Sequence, residues 1–143
     1  PNIKPQAISD LAHYMKQDKC DIGTLASKIE SYEDLQNPNI VKVSVKDKLS
    51  ENLFLNTLDF FRTSQNSKDN LYHHVGIYAF TNKALMRYVA LKRTKLELDR
   101  NLEQLRALEN NMSIHVGYVK TSPLSVDTED DLIEVKKIME KQK

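Results

Sequence analysis

The sequence predicts an α/β domain, a layered fold with helices packed on a mixed sheet. Three observations lead there. Runs with helical periodicity alternate with short strand-like runs, in the order helix, strand, strand, strand, helices, strand, helix. The chain has 143 residues, enough for one domain with its own core. Hydrophobic residues make up 40% and charged residues 29%, the ordinary balance of a water-facing globular protein.

The elements follow in order. Residues 5–16 read as a helix, because Ile8, Leu11, Ala12 and Met15 recur at helical spacing and make one apolar stripe. Residues 22–29 read as a strand, and 31–35 as one helical turn that Asn37-Pro38-Asn39 breaks. In residues 40–45, Val41, Val43 and Val45 alternate with Lys42 and Ser44, the pattern of a half-buried strand. Residues 48–71 have no clean period despite Leu53, Phe54, Leu55, Leu58, Phe60 and Phe61. This segment is expected to be loop-rich, with 64–70 a polar loop. Residues 72–80 read as a buried strand. Thr81 or Asn82 then caps a helix reaching about Ala90. Thr94-Lys95-Leu96-Glu97 has the form of a capping box and opens a helix to about Leu108, with Leu98, Leu102 and Leu105 on one face. Asn110-Asn111 ends it, since Asn tolerates left-handed backbone. Residues 114–119 form a strand. Asp127 or Thr128 starts the last helix, which carries Leu132, Val135, Ile138 and Met139.

Composition narrows the function classes. With 21 basic and 20 acidic side chains, the net charge of +1 argues against a nucleic-acid binder that works by bulk charge. No apolar run reaches membrane-spanning length, and no signal-peptide pattern opens the chain. Cys20 is the single cysteine, unable to form an internal disulfide or a zinc site alone; a reducing, cytoplasmic setting is expected. Gly23, Gly76 and Gly117 are the three glycines and stand apart, so no Gly-rich loop cradles phosphates. The chain opens at Pro1 without an initiating Met, as an excised portion would.

Several residues are candidates for chemistry. Glu103 and Gln104 are adjacent, project about 100° apart on a helix, and can both reach one cleft wall or simply face solvent. Asp127 sits at a loop-to-helix junction that suits either an N-cap or a hard-metal ligand. His73 and His74 are neighbours on a strand and point to opposite faces, which argues against a metal pair and for one buried and one exposed ring. His13 and His115 have no partner at ligand spacing. Cys20 has no base nearby in sequence to make it a nucleophile.

Separated motifs carry a resemblance. His74-Val75-Gly76-Ile77-Tyr78, then Leu102-Glu103-Gln104-Leu105-Arg106, then Val126-Asp127-Thr128-Glu129-Asp130-Asp131-Leu132 occur in the order and spacing of the 3-deoxy-manno-octulosonate cytidylyltransferases, or CMP-Kdo synthetases. Asn37-Pro38-Asn39-Ile40-Val41-Lys42-Val43 and Pro1-Asn2-Ile3 also resemble that family. The likeness runs from Pro1 to the C-terminus, weakest between about Lys48 and Asn70.

The resemblance implies a nucleotide-diphospho-sugar transferase-like, Rossmann-like layered domain, of which residues 1–143 are a C-terminal portion lacking the N-terminal nucleotide-binding part. It implies activation of Kdo with CTP to give CMP-Kdo and pyrophosphate for lipopolysaccharide biosynthesis, with Mg²⁺ as cofactor and a homodimer as the assembly. Residue by residue, it implies that His74, Tyr78, Glu103 and Gln104 bind the sugar and that Asp127 holds magnesium. It assigns no catalytic side chain.

The departures qualify this. The family carries an arginine that helps hold the sugar carboxylate. Thr57 stands in its place, and Thr cannot supply a bidentate charged clamp; Arg62 is nearby in sequence. Arg100 stands where a Glu is common. Pro1 resembles the last residue of the family's Gly-Asp-Glu-Pro segment, whose Asp supplies a second magnesium ligand. The 143-residue chain alone is therefore expected to be inactive. The alternative is a non-catalytic remnant or dimerising fragment. Without the front strands, 22–29 and 72–80 are expected to present unpaired edges.

Overall fold

The computed structural model describes residues 3–63, 70–121, 123, 126 and 129–140. Their elements run α1 (Pro5–Met15), β1 (Ile22–Ser27), α2 (Tyr32–Gln36), β2 (Lys42–Val45), β3 (Phe54–Phe61), β4 (Leu71–Phe80), α3 (Asn82–Val89), α4 (Lys95–Arg100), α5 (Gln104–Glu109), β5 (Ile114–Tyr118) and α6 (Glu129–Glu140). The expected polar loop at 64–69 and the start of the last helix at Asp127 and Thr128 lie outside the described residues.

The sheet is mixed, as expected. β1 runs parallel to β5 and antiparallel to β4; the remaining pairs, β2 with β3, β2 with β4 and β3 with β5, are antiparallel. The strands hydrogen-bond in the closed order β1-β4-β2-β3-β5. β1 thus has a neighbour on each side and is buried along its whole length, so the expectation of an unpaired edge there is wrong. β4 differs. It pairs with β2 only at Leu71, Tyr72 and His73, so residues 76–80 have no strand neighbour on that flank among the described residues. A two-part clasp fixes the parallel pair. The Asp21 N–H donates to Ser113 Oγ at 2.9 Å, and the Ser113 N–H donates to Asp21 Oδ2 at 2.8 Å.

The core has two parts. Ile22, Ala26, Val43, Val45, Phe60, Ile114 and Val116 fill the main one, closed by Leu102 and Leu105 of the α4–α5 region. Leu11, Leu25 and Val75 make the second, beneath α1. The stripe α1 buries is Ala7, Leu11 and Met15 rather than the expected one; Ile8 is 43% exposed. β2 is buried on both faces, not half-buried. Lys42 is fully enclosed, its ammonium donating to the carbonyl oxygens of Asn37 at 2.6 Å and Arg62 at 2.7 Å. A buried ammonium persists only when its donors are matched in this way.

Two further differences bear on the site. β3 is an eight-residue strand inside the segment expected to be loop-rich. The helix expected from Thr94 to Leu108 is two helices. Asn101 adopts left-handed backbone at φ 52° and ends α4, and α5 begins after Glu103. Leu98 accordingly faces solvent, at 56% exposure, while Leu102 and Leu105 are buried. Of the caps read from sequence, Thr81, the Glu97 half of the capping box and Asn111 hold, while the Thr94 hydroxyl has no partner. Thr81 Oγ1 accepts from the Ala84 N–H at 3.1 Å, Glu97 accepts from the Thr94 N–H at 3.2 Å, and Asn111 is left-handed at φ 54°.

Candidate functional site

A cleft of about 500 Å³ opens where β4 loses its second neighbour. Its walls hold His74, Gly76, Tyr78 and Phe80 from β4, Tyr88 from α3, the Asn101–Gln104 connection, and Arg62 just beyond β3. The period of the strand puts residues 74, 76, 78 and 80 on one face. The four residues expected to bind sugar, His74, Tyr78, Glu103 and Gln104, therefore line one cavity.

His74, Tyr78 and Glu103 sit in different surroundings. His74 is buried, packs edge-on against Phe60 with ring centroids 5.1 Å apart, and lies 2.9 Å from Thr24 Oγ1 through Nε2. Burial, helped by the charge of His73, pushes its pKa down to about 3, so the ring is neutral at physiological pH. Its neighbour His73 is half-buried rather than exposed, and burial lowers its pKa too. Desolvation first, then the charges of Tyr88 and Glu103, raise the Tyr78 phenol well above its usual value, so it remains a proton donor. Glu103 stands at the start of α5, exposed, and its carbonyl oxygen accepts from Tyr88 Oη at 3.1 Å.

An ion cluster anchors that wall from behind. Glu97 is 1% exposed and takes two hydrogen bonds from Arg106, at 2.8 and 2.5 Å, and one from Arg93 at 3.2 Å. The Arg106 hydrogen bond is the main reason the Glu97 carboxyl lies low, at about 2. Arg106 also sits 4.9 Å from the centre of the Tyr88 ring, tying α3 to α5.

The arginine position resolves differently from the expectation. Thr57 is buried, does not line the cleft, and its hydroxyl has no partner. Arg62 does line the cleft, with Nη1 donating to the Pro38 carbonyl at 3.0 Å. Arg100 pairs with Asp59 at 2.7 Å and with the Phe60 carbonyl at 2.8 Å, which gives that departure a structural partner. Tyr88, Asn101 and Thr24 were not singled out by sequence. The available signal was Thr24, a polar residue inside a short apolar strand.

Asp127, the expected magnesium ligand, lies outside the described residues. Among the described residues no three His, Cys, Asp or Glu side chains converge to hold a metal ion. Cys20 is buried, and burial raises its thiol pKa, so it is not an activated nucleophile. A second cleft, about 440 Å³, lies between α1 and the ends of β3 and β5 and holds none of the expected sugar residues. His13 and Tyr14 line it, and Tyr14 Oη lies 2.6 Å from His115 Nδ1.

The mixed sheet opens beside β4 into a mostly apolar cleft edged by Arg62, His74, Tyr78, Glu103 and Gln104. A solved structure of CMP:2-keto-3-deoxy-manno-octonic acid synthetase complexed with CTP superposes with a TM-score of 0.82 at 28% identity, over 99% of this chain and 58% of that one. UTP-bound UGPase from Acinetobacter baumannii shares the fold alone, with a TM-score of 0.54 at 10% identity. The chain belongs to the cytidylyltransferase family, whose sequence profile matches residues 1–114. Within it, the chain is similar to the 3-deoxy-manno-octulosonate cytidylyltransferases of Bartonella bacilliformis, 43% identical, and Bartonella henselae, 45% identical, each over 140 residues and 97% of this chain. The chain spans 57% of the length of these relatives.

Proposed function

We propose that this chain supplies the sugar-acid wall of a cytidylyltransferase that joins CTP and Kdo into CMP-Kdo, releasing pyrophosphate, for lipopolysaccharide assembly. The observation that carries it is the convergence of His74, Tyr78, Glu103, Gln104 and Arg62 on one cleft. Each offers what a polyhydroxylated acid needs. Arg62 presents a planar, permanently charged fork to the carboxylate. Glu103 accepts from hydroxyls, Gln104 both donates and accepts, and Tyr78 donates. Held there, the sugar hydroxyl attacks the α-phosphorus of CTP in line, its oxygen forming the new P–O bond as pyrophosphate leaves. Magnesium at Asp127 belongs to the proposal on the strength of the resemblance.

The expected setting is cytoplasmic; among the described residues no helix is long and apolar enough to cross a membrane. A homodimer is part of the proposal on the strength of the resemblance. The test is pyrophosphate release from CTP and Kdo with Mg²⁺ by a version extended at the N-terminus to the relatives' full length. Release with Arg62→Gln raising KM for Kdo supports the proposal; no release by the extended wild type sinks it. A second reading, that the 143 residues alone bind or dimerise without turnover, follows from the 57% span. CMP-Kdo formation by the chain alone would refute it.

A further inference from the structure

The register of β1 against β4 slips in the middle of the cleft wall. Thr24 pairs with Tyr78 but Leu25 pairs with Val75, so Gly76 and Ile77 bulge out of the ladder. Bulges of this kind re-aim side chains beside functional sites and release backbone groups from the sheet. Thr24, fully buried, sits against the bulge. Its Oγ1 lies 2.7 Å from the Ile77 carbonyl oxygen, 3.4 Å from the Val75 carbonyl oxygen and 2.9 Å from His74 Nε2.

A hydroxyl has one proton to give. A carbonyl can only accept, and at 2.7 Å an unprotonated contact would set two lone-pair-bearing oxygens against each other. The proton therefore goes to Ile77, whose distance is much the better of the two carbonyls. That leaves Oγ1 as an acceptor toward His74, and the 2.9 Å contact forms only if Nε2 carries the imidazole proton.

We propose that Thr24 is a positioning residue for the sugar cleft: it holds His74 in the Nε2–H tautomer, so that Nδ1 meets a ligand hydroxyl as a hydrogen-bond acceptor. The assignment of the ligand rests on the sugar-acid reading of the cleft; the tautomer does not. A neutral ring buried against Phe60 carries a single proton, and its location decides whether the wall accepts from a hydroxyl or donates to it. Valine at position 24 keeps the shape but supplies neither donor nor acceptor, whereas serine supplies both.

The experiment is two-bond proton–nitrogen correlation spectroscopy of the isotope-labelled chain near neutral pH. The wild type is expected to show His74 protonated at Nε2. Thr24→Val is expected to remove that preference, and Thr24→Ser to keep it. An Nδ1-protonated His74 in the wild type, or a Thr24→Val spectrum with the wild-type tautomer, overturns the proposal. Should the valine variant fail to fold, the wild-type spectrum still decides. In the version extended to the relatives' full length, Thr24→Val is expected to raise KM for Kdo about tenfold with kcat nearly unchanged, as for one lost hydrogen bond. Because the spectra are read without turnover, failure of the cytidylyltransferase reading shows only in this second arm. An unchanged KM in an active valine variant counts against the role of Thr24.

Discussion

The Lys42 ammonium, enclosed in the sheet, donates to the Arg62 carbonyl oxygen at 2.7 Å and so pins the backbone of the arginine that reaches the cleft. A strand residue thereby serves the wall from inside the core.

Lys42→Met tests that link. It keeps the length of the side chain and leaves the carbonyl oxygens of Asn37 and Arg62 without their donor. We expect a loss of about 1–3 kcal/mol, the usual cost of stranding buried polar groups. Urea unfolding should show a lower midpoint with an unchanged slope.

Arg106→Met takes two hydrogen bonds from Glu97, which is 1% exposed, and leaves it Arg93 and the Thr94 N–H. The expected loss is about 3 kcal/mol, because the buried charge loses its main partner. In a double-mutant cycle, Arg106→Met combined with Glu97→Gln should cost clearly less than the sum of the two single changes. Additive costs would show that the pair is not coupled.

Acid should destabilise the chain in two windows. His74 titrates near 3 when folded and near its ordinary 6.5 when unfolded. Between those values the unfolded chain takes up a proton that the folded chain refuses, so stability falls as the pH drops below 6.5, by at most about 1.4 kcal/mol per pH unit for this group. His73 and His115, both lowered by burial, act in the same direction. Glu97, lowered from 4.5 to about 2, contributes stability that is present above 4.5 and lost as pH falls toward 2. Midpoints measured from pH 7 to 4 should decline, and His74→Gln should make the decline shallower.

Thr57→Val should be harmless. The Thr57 hydroxyl is buried without a partner, and an isosteric methyl removes an unsatisfied group. Stability should stay level or rise by up to about 1 kcal/mol. Affinity for the sugar acid, read by calorimetry on the extended protein, should not change. Weakened binding in this variant would give Thr57 a part in the sugar site and overturn this prediction.

Local signals were legible where one or two residues decide a conformation. The Thr81 cap, the Glu97 half of the capping box and left-handed Asn111 all follow from side-chain chemistry at one position. The cleft residues were legible through the order of motifs, since His74, Tyr78, Glu103 and Gln104 do share a wall. β3 was hidden because its burial runs against residue type: Thr57 points inward while Leu58 is exposed. Lys42 broke the alternation of β2 for the same reason, its charge being matched by distant carbonyls that no local pattern reveals. The break at Asn101 was masked by leucines that suit a continuous helix. Closure of the sheet depends on partners far apart in the chain, which periodicity cannot supply.

The clasp between Asp21 and Ser113 joins positions 92 residues apart. During synthesis β1 leaves the ribosome long before β5 exists, and for that interval one side of β1 has no strand to pair with. The closed order of strands cannot complete until β5 has emerged, a late and entropically costly step. A translational pause shortly before Ile114 would therefore leave one side of β1 unpaired for longer, an edge that another chain could join.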